Sequence, residues 1–225
     1  MKEGKYAVIG LGHFGRAIAT SLAKSDSEVV VIDKDEEKIY QISDDVSYAV
    51  TSDATDKRAL LAQDIRSFDV VIITIGDFEQ RLLCAATLID LNIKRIVCRA
   101  MGSNERLILE KMGITDILSP EDEVGKAVAR RLLNPSMVSY LDLPDDHCVM
   151  EIEAPKHIIG KELGLVNLRD NYRLSLITIK RRYEGKNNEL HIVGVPGTKT
   201  LILKGDTMIL FGKTKDIEKF VEINN

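Results

Sequence analysis

Residues 6–15 read Tyr-Ala-Val-Ile-Gly-Leu-Gly-His-Phe-Gly, and a second apolar run, Val29-Val30-Val31-Ile32, ends on Asp33. No other stretch of the chain constrains its fold so tightly. An apolar strand runs into Gly10-x-Gly12-x-x-Gly15, and a helix opens at the last glycine. Each position has a physical task. Gly10 permits the tight turn, Gly12 lets the backbone approach a pyrophosphate, and Gly15 lets helix and strand pack together. The helix N-terminus offers free N–H groups and a partial positive charge to phosphates. Asp33 can accept hydrogen bonds from both hydroxyls of an adenosine ribose. It also repels a 2′-phosphate, so NAD(H) or an adenine nucleotide is expected over NADP(H).

The rest of the first 134 residues extends this pattern. Strand-like runs at 6–9, 28–32, 48–51, 70–75, 95–98 and 116–118 alternate with helix-like segments. The runs are almost continuously apolar, as in a parallel sheet covered on both faces. Such alternation predicts right-handed βαβ crossovers and a doubly wound α/β sheet, here in the order 3-2-1-4-5-6. Over 77–91 an apolar stripe of Phe78, Leu82, Ala85, Ala86 and Ile89 is expected to face the sheet. Ser119, Pro120 and Asp122 predict a helix start that runs on to about Leu133. Asn134-Pro135-Ser136 reads as a hinge, and 135–146 as a linker. From about residue 147 the pattern changes to strands at 149–153, 174–180, 190–193 and 208–211 with short helical segments near 163–171 and 216–223. That is a small α+β domain over 147–225.

Several residues fall on the carboxyl edge of the predicted sheet, where ligands bind in this architecture. Lys34 follows Asp33. Asp53, Ala54 and Thr55 follow the third strand, where Asp53 or Thr55 either contacts adenine or caps the next helix. Ile75 and Gly76 follow the fourth strand at the switch point, with Asp77 as a helix cap. His13 and Phe14 sit in the glycine turn, His13 either meeting a distal phosphate or facing solvent. Arg99 ends the fifth strand and pairs either with phosphate or with a surface carboxylate. Glu121 lies at a helix N-terminus, where the dipole alone favours an acid.

Composition removes other classes. A net charge of −4 leaves no dominant basic face for nucleic acid, and the Lys180-Arg181-Arg182 cluster reads as a solvated strand edge. Cys84, Cys98 and Cys148 form no metal-ligand spacing and suit a reducing compartment. The apolar stretches are shorter than the roughly 18 residues of a membrane helix, and no signal peptide is recognised at Met1-Lys2-Glu3-Gly4, so a cytoplasmic protein is expected. HExxH, GxSxG and P-loop motifs are absent from the sequence. A nucleotide sensor is the leading expectation, and a small NAD-dependent oxidoreductase the alternative.

The chain resembles the regulator-of-potassium-conductance family along its whole length. In the first domain the resemblance rests on Ala7–Gly15, Val31-Ile32-Asp33, Asp53-Ala54-Thr55, Ile75-Gly76 and Pro120-Glu121. In the second it rests on Ile159-Gly160-Lys161-x-Leu163, Leu168-Arg169, Leu176–Arg181 and Gly205–Gly212. The resemblance implies a non-enzymatic cytosolic subunit that regulates a Ktr or Trk potassium transporter. It further implies a homodimer assembled into a ring, commonly an octamer, docked under a membrane-embedded potassium-translocating partner. ATP and ADP, or NADH and NAD, would compete for the first domain. Glu121 matches a glutamate that in some members approaches phosphates or a cation across the dimer. Arg169 matches an arginine that binds cyclic di-AMP in the small domain of some members. His13 stands where members often carry arginine.

Overall fold

A computed structural model describes residues 4–133, 137–183 and 189–225. The expected hinge at Asn134-Pro135-Ser136 lies outside the described residues. The described chain divides into two compact units, Met1–Glu123 and Val124–Asn225.

The first unit alternates strand and helix: β1 (Lys5–Ile9), α1 (His13–Ala23), β2 (Glu28–Asp33), α2 (Glu36–Tyr40), β3 (Tyr48–Thr51), α3 (Lys57–Ala62), β4 (Val70–Ile73), α4 (Phe78–Asp90), β5 (Ile96–Arg99), α5 (Ser103–Lys111) and β6 (Asp116–Leu118). Helix α6 (Pro120–Leu133) begins in this unit and continues past its end. The six strands are parallel and lie in the order β3-β2-β1-β4-β5-β6. The order reverses beside β1, so the crevice opens between the ends of β1 and β4, next to the glycine turn. The near-continuous apolar strands are explained by burial on both faces. Ala7, Ile9, Val30, Ile32, Val71 and Ile73 serve one core, and Val8, Val29, Val31 and Ile72 serve the other.

Helix α4 departs from the expected stripe. Its buried face is Arg81, Cys84, Ala85 and Leu88, whereas Phe78, Ala86 and Ile89 are exposed. The buried set keeps helical spacing but is displaced by about one residue, because a charged side chain occupies a core position.

The second unit carries β7 (Met137–Asp142), β8 (His147–Glu153), α7 (Leu163–Val166), α8 (Leu168–Tyr172), β9 (Ser175–Arg182), β10 (Leu190–Ile192), β11 (Thr207–Lys213) and α9 (Thr214–Asn224). Its sheet runs β10-β9-β11-β8-β7 and is antiparallel. Residues 137–142, expected in the linker, instead form an edge strand paired with β8. The helical segment expected over 163–171 is two short helices, because Asn167 between them is left-handed (φ 48°). The core of this unit gathers Met150, Ile152, Leu168, Met208, Leu210, Ile217 and Phe220.

All three cysteines are buried. Burial raises each thiol's pKa, that of Cys98 to about 12, so the thiols stay protonated at neutral pH.

Candidate nucleotide-binding cleft

The glycine turn is held from both flanking strands. The Gly10 N–H continues the β1–β2 ladder by donating to the Ile32 carbonyl at 2.8 Å. On the β4 side, the Thr74 N–H donates to the Ile9 carbonyl at 2.8 Å. The buried Thr74 hydroxyl donates to the Gly10 carbonyl at 2.6 Å. On the β2 side, the Leu11 N–H donates to Asp33 Oδ2 at 2.5 Å. Thr74 was not singled out in the sequence, although a polar residue closing an apolar strand was the signal that marked it.

The three glycines answer to different constraints. Gly10 has φ +96°, a left-handed conformation that favours glycine. At Gly15 a Cβ would stand 2.0 Å from the Gly10 carbonyl oxygen and 2.4 Å from Thr74 Oγ1, so helix α1 can approach the turn only without a side chain. At Gly12 a Cβ would meet nothing within 4 Å. The protein itself therefore has room for a side chain at residue 12. Glycine keeps open the space into which a ligand's phosphates would fit.

Gly12 caps α1 without a side-chain hydrogen bond, and the first turn of α1 holds no acidic residue. The N-terminal amides and the positive end of the helix dipole are thus left for an external anion.

A cleft of about 320 Å³ opens beside this turn. Of the residues expected at the site, Gly10, Gly12, Asp33, Lys34, Asp53, Ala54, Thr55, Ile75 and Gly76 line it. Asp33 is almost buried, and its carboxylate is already oriented. Oδ2 takes the Leu11 amide and Oδ1 takes the Asp35 amide at 2.9 Å, with Lys38 Nζ 3.9 Å away. A carboxylate offers about four lone-pair sites, so acceptor capacity remains for ribose hydroxyls. Lys34 Nζ donates to Gln80 Oε1 at 3.1 Å, joining two residues that both line the cleft.

Asp53 and Thr55 form a self-contained turn. Asp53 Oδ1 accepts the Thr55 N–H at 2.9 Å and the Thr55 hydroxyl at 2.7 Å. These bonds, the backbone one foremost, hold the Asp53 pKa below the ordinary value. Neither residue caps the next helix. Asp56 does so, accepting the Arg58 N–H at 2.8 Å. Asp77 caps α4 as expected, accepting the Gln80 N–H at 2.9 Å.

The other expected residues lie outside the cleft lining. Gly15 is buried in the turn, and His13 is exposed at the start of α1. Arg99 meets both Phe14 and Glu121. The Arg99 guanidinium lies 5.6 Å from the centre of the Phe14 ring and pairs with Glu121. That hydrogen bond is the main cause of a lowered Glu121 pKa. The Ser119 hydroxyl, expected as a cap, accepts a hydrogen bond from Arg106. In the second unit Arg169 is exposed on α8.

A parallel doubly wound sheet with an open glycine turn, an acid at the end of β2 and an uncompensated helix N-terminus defines a dinucleotide-fold protein. The TrkA-N domain family matches residues 6–120. The Ktr system potassium uptake protein C of Bacillus subtilis is 30% identical over 217 residues, 96% of this chain and 95% of that protein. The Ktr system potassium uptake protein A of the same organism is 30% identical over 98% of this chain and 96% of its own length. Among solved structures, the GsuK RCK domain matches with a TM-score of 0.53 at 23% identity, covering 99% of this chain and 46% of that one. The chain belongs to the TrkA-N domain family and is a relative, over nearly its full length, of the Ktr potassium uptake proteins. No helix among the described residues is long and apolar enough to cross a membrane.

Proposed function

We propose that this chain is a nucleotide-sensing regulatory subunit that gates a membrane potassium transporter and performs no catalysis of its own. The observation that carries the reading is the match over almost the full length of two proteins named for Ktr potassium uptake. The cleft supplies the ligand class. Adenosine would lie toward Asp33 and Asp53-Ala54-Thr55, and the phosphates over Gly12 and the amides of α1. ATP, ADP, NADH and NAD share this chemistry.

Gating follows from unequal binding. A ligand shifts a conformational equilibrium only as far as its affinities for the two states differ. The proposed working form is a cytoplasmic homodimer, assembled into a ring and held at the membrane by its partner. Val124, Val128 and Leu132 support the dimer, because they recur at helical spacing on α6 and are 61, 50 and 74% exposed. A contiguous apolar stripe of that kind suits a second copy. The proposed domain limits are 1–134 and 147–225, joined by residues 135–146.

The test is calorimetric titration of the purified chain with ATP, ADP, NAD, NADH and cyclic di-AMP, combined with light scattering. Binding of at least one adenine nucleotide by an oligomer is the expected result. A monomer that binds none of them overturns the proposal. Co-expression with a Ktr-type membrane subunit then reads gating directly, as potassium uptake that changes when ATP replaces ADP.

A further inference from the structure

Helix α4 carries a fully buried arginine that is not part of the cleft lining. Arg81 is 0% exposed. One terminal nitrogen, Nη1, donates to the Ile75 carbonyl at 2.5 Å and to the Gly76 carbonyl at 3.1 Å. The other, Nη2, pairs with Glu105 Oε2 at 2.5 Å, and the same oxygen accepts the Met101 N–H at 2.6 Å. Phe78 lies against the guanidinium, with its ring centre 5.8 Å away. Arg81 Nε is buried without a hydrogen-bond partner.

Burying an ion pair this deeply is costly, and apolar residues of similar volume often serve stability as well or better. Packing therefore does not account for an arginine here. The two carbonyls it holds belong to the loop after β4, and Ile75, Gly76 and Asp77 all line the cleft. No described peptide bond is cis. In a planar trans peptide the N–H points opposite to the C=O. Drawing the Ile75 and Gly76 carbonyls toward the buried guanidinium therefore turns the Gly76 and Asp77 N–H groups away from it.

We propose that Arg81 is a positioning residue of the cleft, which orients the 75–77 loop so that the Gly76 and Asp77 amides are presented to the oxygen atoms of a bound nucleotide. Glu105 neutralises the guanidinium and fixes its direction through the Met101 amide. The inference rests on the reading that the cleft takes an adenine nucleotide.

Arg81→Met alone strands the Glu105 carboxylate and can cost the fold. The informative variant is the double change R81M/E105Q, which removes both charges and leaves a side-chain amide oxygen at position 105 to accept from the Met101 N–H. The expected result is a folded protein with a melting temperature close to that of the unaltered chain. Its ATP and ADP affinities, read by calorimetry, fall roughly tenfold or more, the scale of losing one well-aligned hydrogen bond to a charged ligand. Amide order parameters at Gly76 and Asp77 in the nucleotide-free protein fall while those of α4 do not, a change that a purely structural role does not produce. R81K, which keeps the charge but not the fork, recovers part of the affinity. A folded double variant with unchanged affinity, or with unchanged order at Gly76 and Asp77, overturns the proposal and leaves the ligand class of the cleft standing. Absence of nucleotide binding by the unaltered chain overturns the ligand class itself, and the positioning role with it.

Discussion

At the scale of the residue, the glycines of one motif separate into two kinds. Gly15→Ala places a methyl group against the Gly10 carbonyl and the Thr74 hydroxyl. It is expected to destabilise the chain by about 1–3 kcal/mol, as overpacking does, and to lower the melting temperature. Gly12→Ala meets no protein atom. It should leave the melting temperature nearly unchanged and still weaken every adenine nucleotide, because the methyl group fills the phosphate space. Equal thermal losses in the two variants contradict this distinction. Asp33→Ala removes a proposed ribose acceptor and also the partner of the Leu11 and Asp35 amides. A loss of about 1–3 kcal/mol in nucleotide binding is expected, together with a lower melting temperature. Unchanged affinity in calorimetry places the ribose elsewhere. Asp53 carries a pH signature. Its folded pKa is depressed by the Thr55 N–H and hydroxyl bonds. The stabilisation is therefore fully present above the ordinary value of 3.8 and fades as pH falls through the lower folded value. Thr55→Val removes the hydroxyl and should move the carboxyl titration, followed by NMR, upward.

At the scale of the element, Asp77 starts α4, and Asp77→Ala is expected to cost about 1 kcal/mol in a thermal melt. The first sheet was legible because buried parallel strands leave uninterrupted apolar runs. Its order was legible because a glycine turn after β1 dictates where the topology reverses. The buried face of α4 was not legible, since counting apolar positions rejects an arginine at a core site. Its real face, 81-84-85-88, has helical spacing, and the exception marks where the helix serves the cleft loop. Strand β7 was missed for another reason. Val138 and Leu141 are both exposed and Tyr140 packs only partly buried against the core, so the strand's inward face is not marked by a run of aliphatic residues. The expected site residues divided in the same way. Those that line the cleft through backbone or a strand end, Gly10, Gly12, Asp33, Lys34, Asp53, Ala54, Thr55, Ile75 and Gly76, followed from motif and topology. Arg99 was placed by the same edge argument and Glu121 by the family resemblance, but the two pair with each other outside the cleft lining.

At the scale of the whole molecule, ligand binding and stability are linked. A nucleotide that binds only the folded first unit stabilises it by about 2.7 kcal/mol at a hundred times its dissociation constant. Calorimetric scans should therefore show a melting transition that rises with nucleotide concentration, and a transition insensitive to ATP, ADP and NADH alike counts against the cleft. The buried cysteines have a practical consequence for following such a response. With Cys84, Cys98 and Cys148 enclosed and protonated, maleimide chemistry at neutral pH finds no native target in the folded chain. New thiols at exposed positions such as Lys57 and Lys219 can accept a donor and an acceptor dye without first stripping out the natural ones. Energy transfer between the two units can then be recorded in real time as one nucleotide is exchanged for another.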